Sequence, residues 1–311
     1  MGQSGELGRR RRTSAIHDGL VGARELVGTA YLADPALREQ YAREIAPRTE
    51  AALGRVLGQL PAALRPARAL DLGAGTGAVG RVLRARFGDG LEVVAVDRTV
   101  APGVIRADLA VELPAVAGRF DLVVAAHLLN ELFVGRPDRV ALRALRVLAW
   151  ARELLAPAGL VVLIEPALRE TSRELLAVRD QLLKAGLHVV APCFWQGPCP
   201  ALAAERDWCH DAAPVPSRAR VDFSYLVLQA QPVTPAPGFE RVVSDPLPDK
   251  GRLRLYVCGG QGRRELVRLT RHRSEANAAL DRVARGDVLS IPGAAGELRI
   301  RPETIVASRD R

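Results

Sequence analysis

The sequence predicts an α/β fold: a mostly parallel sheet covered by helices, preceded by further helices, interrupted by a cysteine-rich insertion and followed by a small β-rich appendage. Two observations support this prediction. Short apolar runs, typical of strands buried on both faces, alternate with helical stretches. A glycine-rich loop follows the first run, and an acidic residue ends the next one. This order is typical of domains that bind a nucleotide-like cofactor at the carboxyl edge of the sheet.

The chain divides into five regions by composition and pattern. They are a basic N-terminus predicted to be disordered (1–18), a helical segment (19–62), the main sheet domain (63–231) with its cysteine-rich insertion (192–220), a proline-rich linker (232–250) and the β-rich appendage (251–311). Prolines interrupt any regular period in both the insertion and the linker, which is why neither is predicted as helix or strand.

The individual elements are predicted from hydrophobic spacing. Between about 20 and 60, apolar residues such as Leu37, Tyr41 and Ile45 recur every three or four positions, which indicates helices. Apolar runs indicate strands of the main sheet at Ala67–Leu72, Leu91–Val96, Val104–Ile105, Phe120–Ala126, Leu160–Ile164, Leu187–Ala191 and 221–229. Helices are expected between them at about 78–87, 138–155 and 171–185. Strands of the appendage are expected at 252–258, 265–270, 287–291 and 297–301.

The charge of the chain favours a polyanionic partner. Hydrophobic residues make up 48% and charged residues 25%, as in ordinary globular proteins, but the net charge is +9. Lys184 and Lys250 are the only lysines, so nearly all the positive charge is arginine. Guanidinium groups contact phosphates in pairs of hydrogen bonds and stack on bases, which predicts contact with RNA. A compositional preference for arginine without function is the alternative.

Targeting signals are weak. No apolar run is long enough for a membrane span, and no apolar stretch follows Arg9–Arg12 as it does in a secretory signal. A mitochondrial transit peptide stays open, although Glu6 and Asp18 count against one. We predict a cytoplasmic protein, or one of the mitochondrial matrix if the N-terminus is a transit peptide, with no membrane association. Thiols are reduced in these compartments, so no disulfide-linked partner is expected.

The glycine-rich loop Asp71-Leu72-Gly73-Ala74-Gly75-Thr76-Gly77 is the predicted cofactor loop. Gly73 and Gly75 let the backbone turn tightly and approach a ligand, and Gly77 lets the next helix pack closely. The N-terminus of that helix adds backbone donors for a carboxylate or phosphate. A glycine turn without a ligand is the alternative.

Acidic residues narrow the choice of cofactor. Asp97 ends the second strand, where a carboxylate can accept hydrogen bonds from ribose hydroxyls. Asp108 follows the third strand, where it is placed for an adenine amino group; capping a loop is the alternative for either acid. With Asp71 in front, the loop resembles the D-x-G-x-G-x-G motif of class I S-adenosylmethionine-dependent methyltransferases. A dinucleotide oxidoreductase usually has glycine there, so S-adenosylmethionine is the predicted cofactor.

The stretch after the fourth strand, Ala126–Leu132, leaves catalysis open. It lacks the Asp/Asn-Pro-Pro-aromatic motif of many nucleic-acid N-methyltransferases, and it contains no cysteine nucleophile. His127 or Glu131 can be proposed as a base. For His127, packing at the rim of the cofactor site is an equal alternative.

All four cysteines are predicted to form one metal site: Cys193, Cys199, Cys209 and Cys258. No Cys-x2-Cys pair typical of zinc knuckles is present, and the three-cysteine motif of radical enzymes is absent as well. Wide spacing with a distant last ligand favours a [4Fe–4S] cluster, with zinc or four unrelated thiols as alternatives. His210 is a possible substitute ligand or a neighbour of the ligands.

The last cysteine is predicted to lie on a basic face of the appendage. Period-two alternation in RLRLYVC puts Arg252, Arg254 and Tyr256 on the same face as Cys258. A bound metal would therefore attach the appendage to the sheet domain, and loss of the metal should loosen it.

With these motifs in place, the chain resembles the Rsm22-like family of small ribosomal subunit proteins, which are methyltransferase-like. The resemblance runs from about residue 29 to 262. Its segments are TAYLADPALREQYAREIAPRTEAAL, ALDLGAGTGA, HLLNEL, LIEPALRE, APCFWQGPCP with DWCH, FSYLVL and LYVCGGQG. The chain departs from the family at Ala167, where glycine is frequent, and at Phe194-Trp195, where a histidine is common.

The resemblance implies a methyltransferase-like fold, bound S-adenosylmethionine, a [4Fe–4S] cluster on the four cysteines and association with the small ribosomal subunit during assembly. It also implies that Asp71, Gly73, Gly75 and Asp97 line the cofactor site. Three hypotheses follow. The protein is a methyltransferase acting on small-subunit rRNA, a non-catalytic RNA-binding assembly factor that uses the same fold and cluster as a scaffold, or a zinc-containing methyltransferase of another substrate.

Overall fold

The computed structural model describes residues 14–216, 218–234, 238–292 and 298–308. The α-helices are α1 (Ala15–Val21), α2 (Pro35–Glu44), α3 (Ala46–Leu57), α4 (Ala78–Phe87), α5 (Arg139–Glu153) and α6 (Arg169–Lys184). The first eight strands are β1 (Arg68–Leu72), β2 (Glu92–Asp97), β3 (Val104–Arg106), β4 (Phe120–Ala126), β5 (Leu155–Pro166), β6 (His188–Ala191), β7 (Asp211–Val215) and β8 (Arg218–Gln229). The remaining strands are β9 (Phe239–Val242), β10 (Leu247–Asp249), β11 (Arg252–Gly259), β12 (Gly262–Leu269), β13 (Val288–Ser290), β14 (Leu298–Ile300) and β15 (Ala307–Ser308).

The main sheet has the strand order β3-β2-β1-β4-β5-β8-β6, with β7 paired to β8. Strands β1 to β5 pair in parallel, whereas β8 is antiparallel to both β5 and β6. A parallel sheet with one antiparallel strand inserted next to its last strand is the arrangement of class I S-adenosylmethionine-dependent methyltransferases. The predicted α/β fold class is confirmed, while the cysteine-rich insertion that was part of it stays a prediction. Between β6 and β8 the chain runs through the cysteine-rich segment, which includes β7.

Helices cover both faces of this sheet. On one face the apolar side of α5 and α6 buries Trp150 and Val178 completely, and on the other α3 and α4 bury Leu53 and Leu83 completely. Burying large apolar side chains contributes about 1.5–3 kcal/mol each. Because the parallel strands all end at the same edge, the loops after β1, β2, β4 and β5 meet there.

The N-terminal segment packs against this core as three helices. Ile16 of α1 is fully buried against Tyr41 and Ile45, which places α1 next to α2 and α3. The disorder predicted for 1–18 is therefore wrong for residues 15–18, which begin α1, and residues 1–13 lie outside the described residues. Ser14 caps this helix by accepting a hydrogen bond from the His17 amide, a local signal that the prediction overlooked.

The predicted proline-rich linker, 232–250, contains two strands. Strand β9 pairs with β11 and β13, and β10 pairs with β11, so both belong to the C-terminal sheet of order β14-β12-β11-β9-β13-β15. The C-terminal domain therefore begins at β9, and residues 235–237 lie outside the described residues. Among the described residues, no helix combines the length and apolar character needed to cross a membrane.

Candidate functional site at the carboxyl edge of the sheet

The loop between β1 and α4 is shaped by glycines in the left-handed region. Gly73 has a φ of 74°, and a Cβ on it would lie 3.1 Å from Leu128 Cδ1. Gly75 has a φ of 51°. The Gly73 amide donates a hydrogen bond of 2.8 Å to the carbonyl of Val96, which ties the loop to β2. Any other residue would be strained at either glycine, so the loop needs both to bring its backbone to the edge of the sheet.

The carboxylate of Asp97, at the end of β2, braces this loop. Its Oδ2 accepts a 2.9 Å hydrogen bond from the Gly75 amide, and its Oδ1 accepts a 2.7 Å bond from the Thr99 amide. A carboxylate offers about four lone-pair sites, so each oxygen keeps capacity for one more donor. Asp97 can therefore hold the loop and accept hydroxyl donors from a ligand at the same time.

A cavity of about 340 Å³, called the edge cavity below, opens beside the loop. Six of the predicted residues line it: Gly73, Gly75, Asp97, Asp108, His127 and Glu131. Asp71 and Gly77 are outside this lining; Gly77 is the N-cap of α4. Asp71 is buried, and burial, followed by the charge of Asp97, raises its pKa to about 7. The structure thus brings together most of the predicted set and places Asp71 in the supporting interior.

Asp108 can serve in both roles predicted for it from the sequence, capping a loop and binding a ligand. Its Oδ1 accepts a 3.0 Å hydrogen bond from the Ala110 amide, so it caps the loop after β3. The side chain is exposed and lines the edge cavity. Capping leaves the second carboxylate oxygen available to a ligand amino group.

The N-terminal segment supplies a wall of the edge cavity that the sequence did not predict. Tyr31 and Tyr41 line it with ring centroids 6.1 Å apart. The Tyr31 hydroxyl donates a 3.1 Å bond to Glu131 Oε1. Arg98 donates a 3.4 Å bond to Glu131 Oε2 and a 2.9 Å bond to the carbonyl of Gly28. Burial above all raises the pKa values of both Tyr31 and Glu131.

His127 has an unusual backbone conformation for a residue with a side chain. Its φ is 57°, and its amide donates a 2.7 Å bond to the carbonyl of Ile164 in β5. Burial lowers the pKa of His127 to about 4, so its imidazole is neutral near pH 7. Its Nδ1 is buried and has no hydrogen-bond partner within the described residues.

Glu165 holds the stretch that carries His127, a role that the sequence did not reveal. The carboxylate is buried and accepts bonds of 2.8 Å from the Leu129 amide and 3.1 Å from the Asn130 amide. Burial raises its pKa to about 8. Arg143 donates a 2.9 Å bond to the Asn130 carbonyl from the other side. These bonds fix the stretch after β4 against β5 and α5.

All four cysteines line one cavity of about 50 Å³ between the main sheet domain and the C-terminal sheet, called the cysteine cavity below. They are free thiols. Burial, followed by the neighbouring Cys193, raises the pKa of Cys199 to about 11 and that of Cys209 to about 12. Burial and the other three cysteines also raise the pKa of Cys258. The four side chains predicted as one ligand set therefore line the same cavity.

The surroundings of the cysteine cavity are aromatic and polar. His210 lines it and stacks on Trp208 with ring centroids 4.2 Å apart. Burial lowers the pKa of His210 to about 4, so this ring is neutral near pH 7. Within the part of the chain that the structure describes, no group of three or more His, Cys, Asp and Glu side chains has the arrangement of a metal-ion site.

A charged pair of α6 holds the loop before Cys199. Arg179 is fully buried and donates a 2.9 Å bond to the Gly197 carbonyl, and it also donates to the Trp195 carbonyl. It donates a 2.6 Å bond to Asp180 Oδ1. The Asp180 carboxylate accepts in turn from the Cys199 amide, at 3.0 and 3.1 Å. The cysteine loop is therefore positioned by hydrogen bonds and does not depend on side-chain packing alone.

Further bonds join the C-terminal sheet to the main domain beside this cavity. Arg241 of β9 donates a 2.6 Å bond to the Pro192 carbonyl and a 3.0 Å bond to Gln59 Oε1. Arg263 of β12 pairs with Asp207 of the cysteine-rich segment. These contacts hold the two strands that flank β11 against the main domain, and Cys258 of β11 lines the same cavity as the other three cysteines.

The predicted basic face beside Cys258 is partly neutralised. Arg252 pairs with Asp249 at 2.8 Å, and Arg254 pairs with Glu265 at 3.4 Å. The Arg252–Asp249 pair is exposed and contributes about 0–1 kcal/mol, whereas the Arg254–Glu265 pair is partly buried. The face therefore keeps arginine side chains that a polyanion can recruit at small cost.

The strand order, the glycine loop and the cavity at the carboxyl edge define a methyltransferase-like protein of class I. Within that class, the chain belongs to the family described as mitochondrial small ribosomal subunit Rsm22, whose sequence profile matches residues 38–290. The predicted family is thus confirmed. No curated protein sequence matches the chain with statistical significance.

Solved structures with a similar fold are methyltransferases. A TehB-like S-adenosylmethionine-dependent methyltransferase from Corynebacterium glutamicum is 20% identical, with 64% of this chain and 100% of that one covered and a TM-score of 0.40. The 1,6-didemethyltoxoflavin-N1-methyltransferase of Burkholderia thailandensis is 20% identical, with coverage of 70% and 90% and a TM-score of 0.39. The plantazolicin methyltransferase BpumL is 11% identical, with coverage of 70% and 100% and a TM-score of 0.44.

Proposed function

We propose that the protein binds S-adenosylmethionine in the edge cavity and transfers its methyl group to RNA of the small ribosomal subunit. The observation that carries this proposal is the convergence of Gly73, Gly75, Asp97 and Asp108 on that one cavity. Asp97 has spare acceptor capacity for ribose hydroxyls, and Asp108 has it for an adenine amino group. The bound cofactor would supply an electrophilic methyl group, and the chain would mainly position the acceptor.

The second part of the proposal is a [4Fe–4S] cluster on Cys193, Cys199, Cys209 and Cys258. The support is the donor set: four thiols from two domains around one cavity, with the loop before Cys199 fixed by Arg179 and Asp180. The cluster would join the two domains. Zinc is the alternative occupant.

Metal analysis of protein purified under nitrogen distinguishes these occupants. About four iron and four sulfide per chain, with the charge-transfer absorption of a cluster, is the expected result. Stoichiometric zinc without sulfide would contradict the cluster but would still support a metal site on the four cysteines. Metal content near zero in protein expressed with ample iron would contradict both the cluster and zinc as occupants.

The proposed partner follows from the family and from charge. The family description names the mitochondrial small ribosomal subunit, and the chain carries a net charge of +9 that is almost entirely arginine. Such a surface suits rRNA. The proposed compartment is the one that holds the ribosome, the cytoplasm or the mitochondrial matrix.

A second candidate function is that of a non-catalytic RNA-binding assembly factor. It is favoured by the surroundings of Glu131 and His127, the two residues proposed as a general base. Glu131 is already held by Tyr31 and Arg98. His127 is neutral, but its low pKa makes it a weak base. In this candidate the cofactor stabilises the fold and no methyl group is transferred.

Methyl-label transfer to immature small subunits separates the two candidates. The enzyme should place label in RNA, and Asp97→Ala should abolish the incorporation. The matched control Asp89→Ala changes an exposed aspartate outside the edge cavity and should behave as wild type. If no label enters RNA while Asp97→Ala protein still supports subunit assembly, the enzymatic proposal is overturned in favour of the assembly factor.

A further inference from the structure

A second cavity, also of about 340 Å³, adjoins the edge cavity and is called the neighbouring cavity below. The two share four lining residues: Tyr31, Tyr41, His127 and Glu131. It lies toward the ends of β5 and β8, since Pro166 and Val221 also line it. Molecules in the two cavities would therefore lie next to each other, and methyl transfer requires the acceptor atom to reach past these shared side chains into contact with the donor.

The neighbouring cavity is lined by apolar and polar side chains from both the N-terminal helices and the main domain. The N-terminal helices contribute Leu20 and Ile45 together with the ring of Tyr41. The main domain contributes Asn130 and Asp222. A flat group with polar edges, one that stacks on apolar side chains and bonds along its rim, matches this lining.

Two residues with hydrogen-bonding side chains, His127 and Asn130, line this space. The buried Nδ1 of His127, a residue that lines both cavities, has no partner among the described residues. Asn130 is held in place because its amide nitrogen donates a 3.0 Å bond to the His127 carbonyl and its Oδ1 accepts a 3.4 Å bond from Arg24. Arg24 also donates to Thr171, which fastens the N-terminal segment over the cavity. Prearranged groups of this kind select a ligand that can bond to them.

Two arginines line the neighbouring cavity. Arg220 lines it and is 45% exposed, so its guanidinium reaches solvent, and Arg48 lines it from α3. Arg220 is paired with Asp222 at 2.9 Å and with Asp245 at 3.3 Å, exposed pairs that a phosphate can replace. A cation beside a cavity that accepts a flat polar group is the chemistry of a nucleotide site.

We propose that the neighbouring cavity takes a single nucleobase, unstacked from single-stranded RNA, with its phosphates at Arg48 and Arg220. The proposal rests on the proposed function, since it makes the base the neighbour of the cofactor. The base lies against Tyr41 and Ile45, beside His127. The specificity of the protein for its RNA then resides in a pocket formed jointly by α1, α2 and the ends of β4, β5 and β8.

A fluorescent base tests this directly. The probe is a short oligouridine with one central 2-aminopurine, added to the full chain saturated with S-adenosylhomocysteine. Wild-type protein should change the 2-aminopurine emission saturably. Ala167→Phe, which fills the neighbouring cavity, should weaken this response about tenfold or more, as expected for the loss of base stacking. Arg220→Ala, at an exposed side chain, should weaken RNA binding about threefold to tenfold and serves if Ala167→Phe does not fold.

Calorimetry with S-adenosylhomocysteine on the same variants keeps the two proposals apart. Both variants should bind it within about twofold of wild type, because neither residue lines the edge cavity. If wild type binds S-adenosylhomocysteine and RNA but the 2-aminopurine emission does not change, or if Ala167→Phe leaves the change intact, the base pocket is overturned. Failure of wild type to bind S-adenosylhomocysteine would instead count against the proposed function.

Discussion

The substitution Arg179→Met tests how the cysteine loop is held. Arg179 is fully buried, and its guanidinium bonds to Trp195, Gly197 and Asp180. Methionine fills similar space but donates no hydrogen bond. The variant therefore leaves two carbonyl groups and one carboxylate without their partner, while the Cys199 amide keeps its bond to Asp180.

The expected cost follows from these lost bonds. A buried polar group left without a partner costs about 1–3 kcal/mol, and breaking a buried ion pair costs about 3–5 kcal/mol. Asp180 is 18% exposed and the loop carbonyls belong to half-buried residues, so water recovers part of the loss. We expect the free energy of unfolding to fall by about 3 kcal/mol.

Urea unfolding of the metal-free full chain at pH 7 measures this loss. The matched control is Arg43→Met, whose side chain is 63% exposed in its pairs with Glu39 and Glu44, and which should cost less than about 1 kcal/mol. A loss below about 1 kcal/mol for Arg179→Met, similar to that of the control, would refute the argument that this arginine positions the loop.

Three further outcomes follow from the structure. In protein that carries the proposed cluster, Cys258→Ser should let proteases release the C-terminal sheet several-fold faster than from wild type, because the cluster would lose its one ligand from that sheet; equal rates would contradict a cluster that joins the domains. Burial raises the pKa of Glu165 from 4.5 to about 8, so this residue favours folding below pH 4.5 and its contribution is lost as pH rises to 8. Glu165→Gln should flatten that decline in pH-dependent unfolding curves; an unchanged slope would show that Glu165 is not its source. Gly73→Ala should weaken cofactor binding about tenfold or more because of its φ and the contact with Leu128; wild-type affinity by calorimetry would contradict this.

Local sequence patterns predicted the main domain well because each of its helices and strands has its own hydrophobic spacing or boundary residues. Helix α4 spans 78–87 as expected, since the glycine loop sets its start and Gly88 its end. Strands β9 and β10 were missed because they are short, lie among prolines and exist through pairing with β11 and β13. Such pairing is a property of the tertiary structure and leaves little trace in the local sequence.

The residues of the candidate site also fall into two groups, those that the sequence could predict and those that it could not. Gly73, Gly75 and Asp97 were predictable because backbone conformation and strand ends require particular residue types there. Tyr31 and Glu165 were not assigned roles, because their partners lie far along the chain and only the fold brings them together. Both stand inside segments of the family resemblance, which was the one sequence signal available for them.

The central claim is that the edge cavity is a cofactor site, and calorimetric titration of the full chain with S-adenosylmethionine tests it most directly. Wild type should bind one molecule per chain. Asp97→Ala removes the acceptor that also braces Gly75, so affinity should fall at least about tenfold, a loss of about 1.4 kcal/mol or more. The exposed control Asp89→Ala should bind as wild type does. No binding by wild type, or equal binding by Asp97→Ala, would contradict the claim.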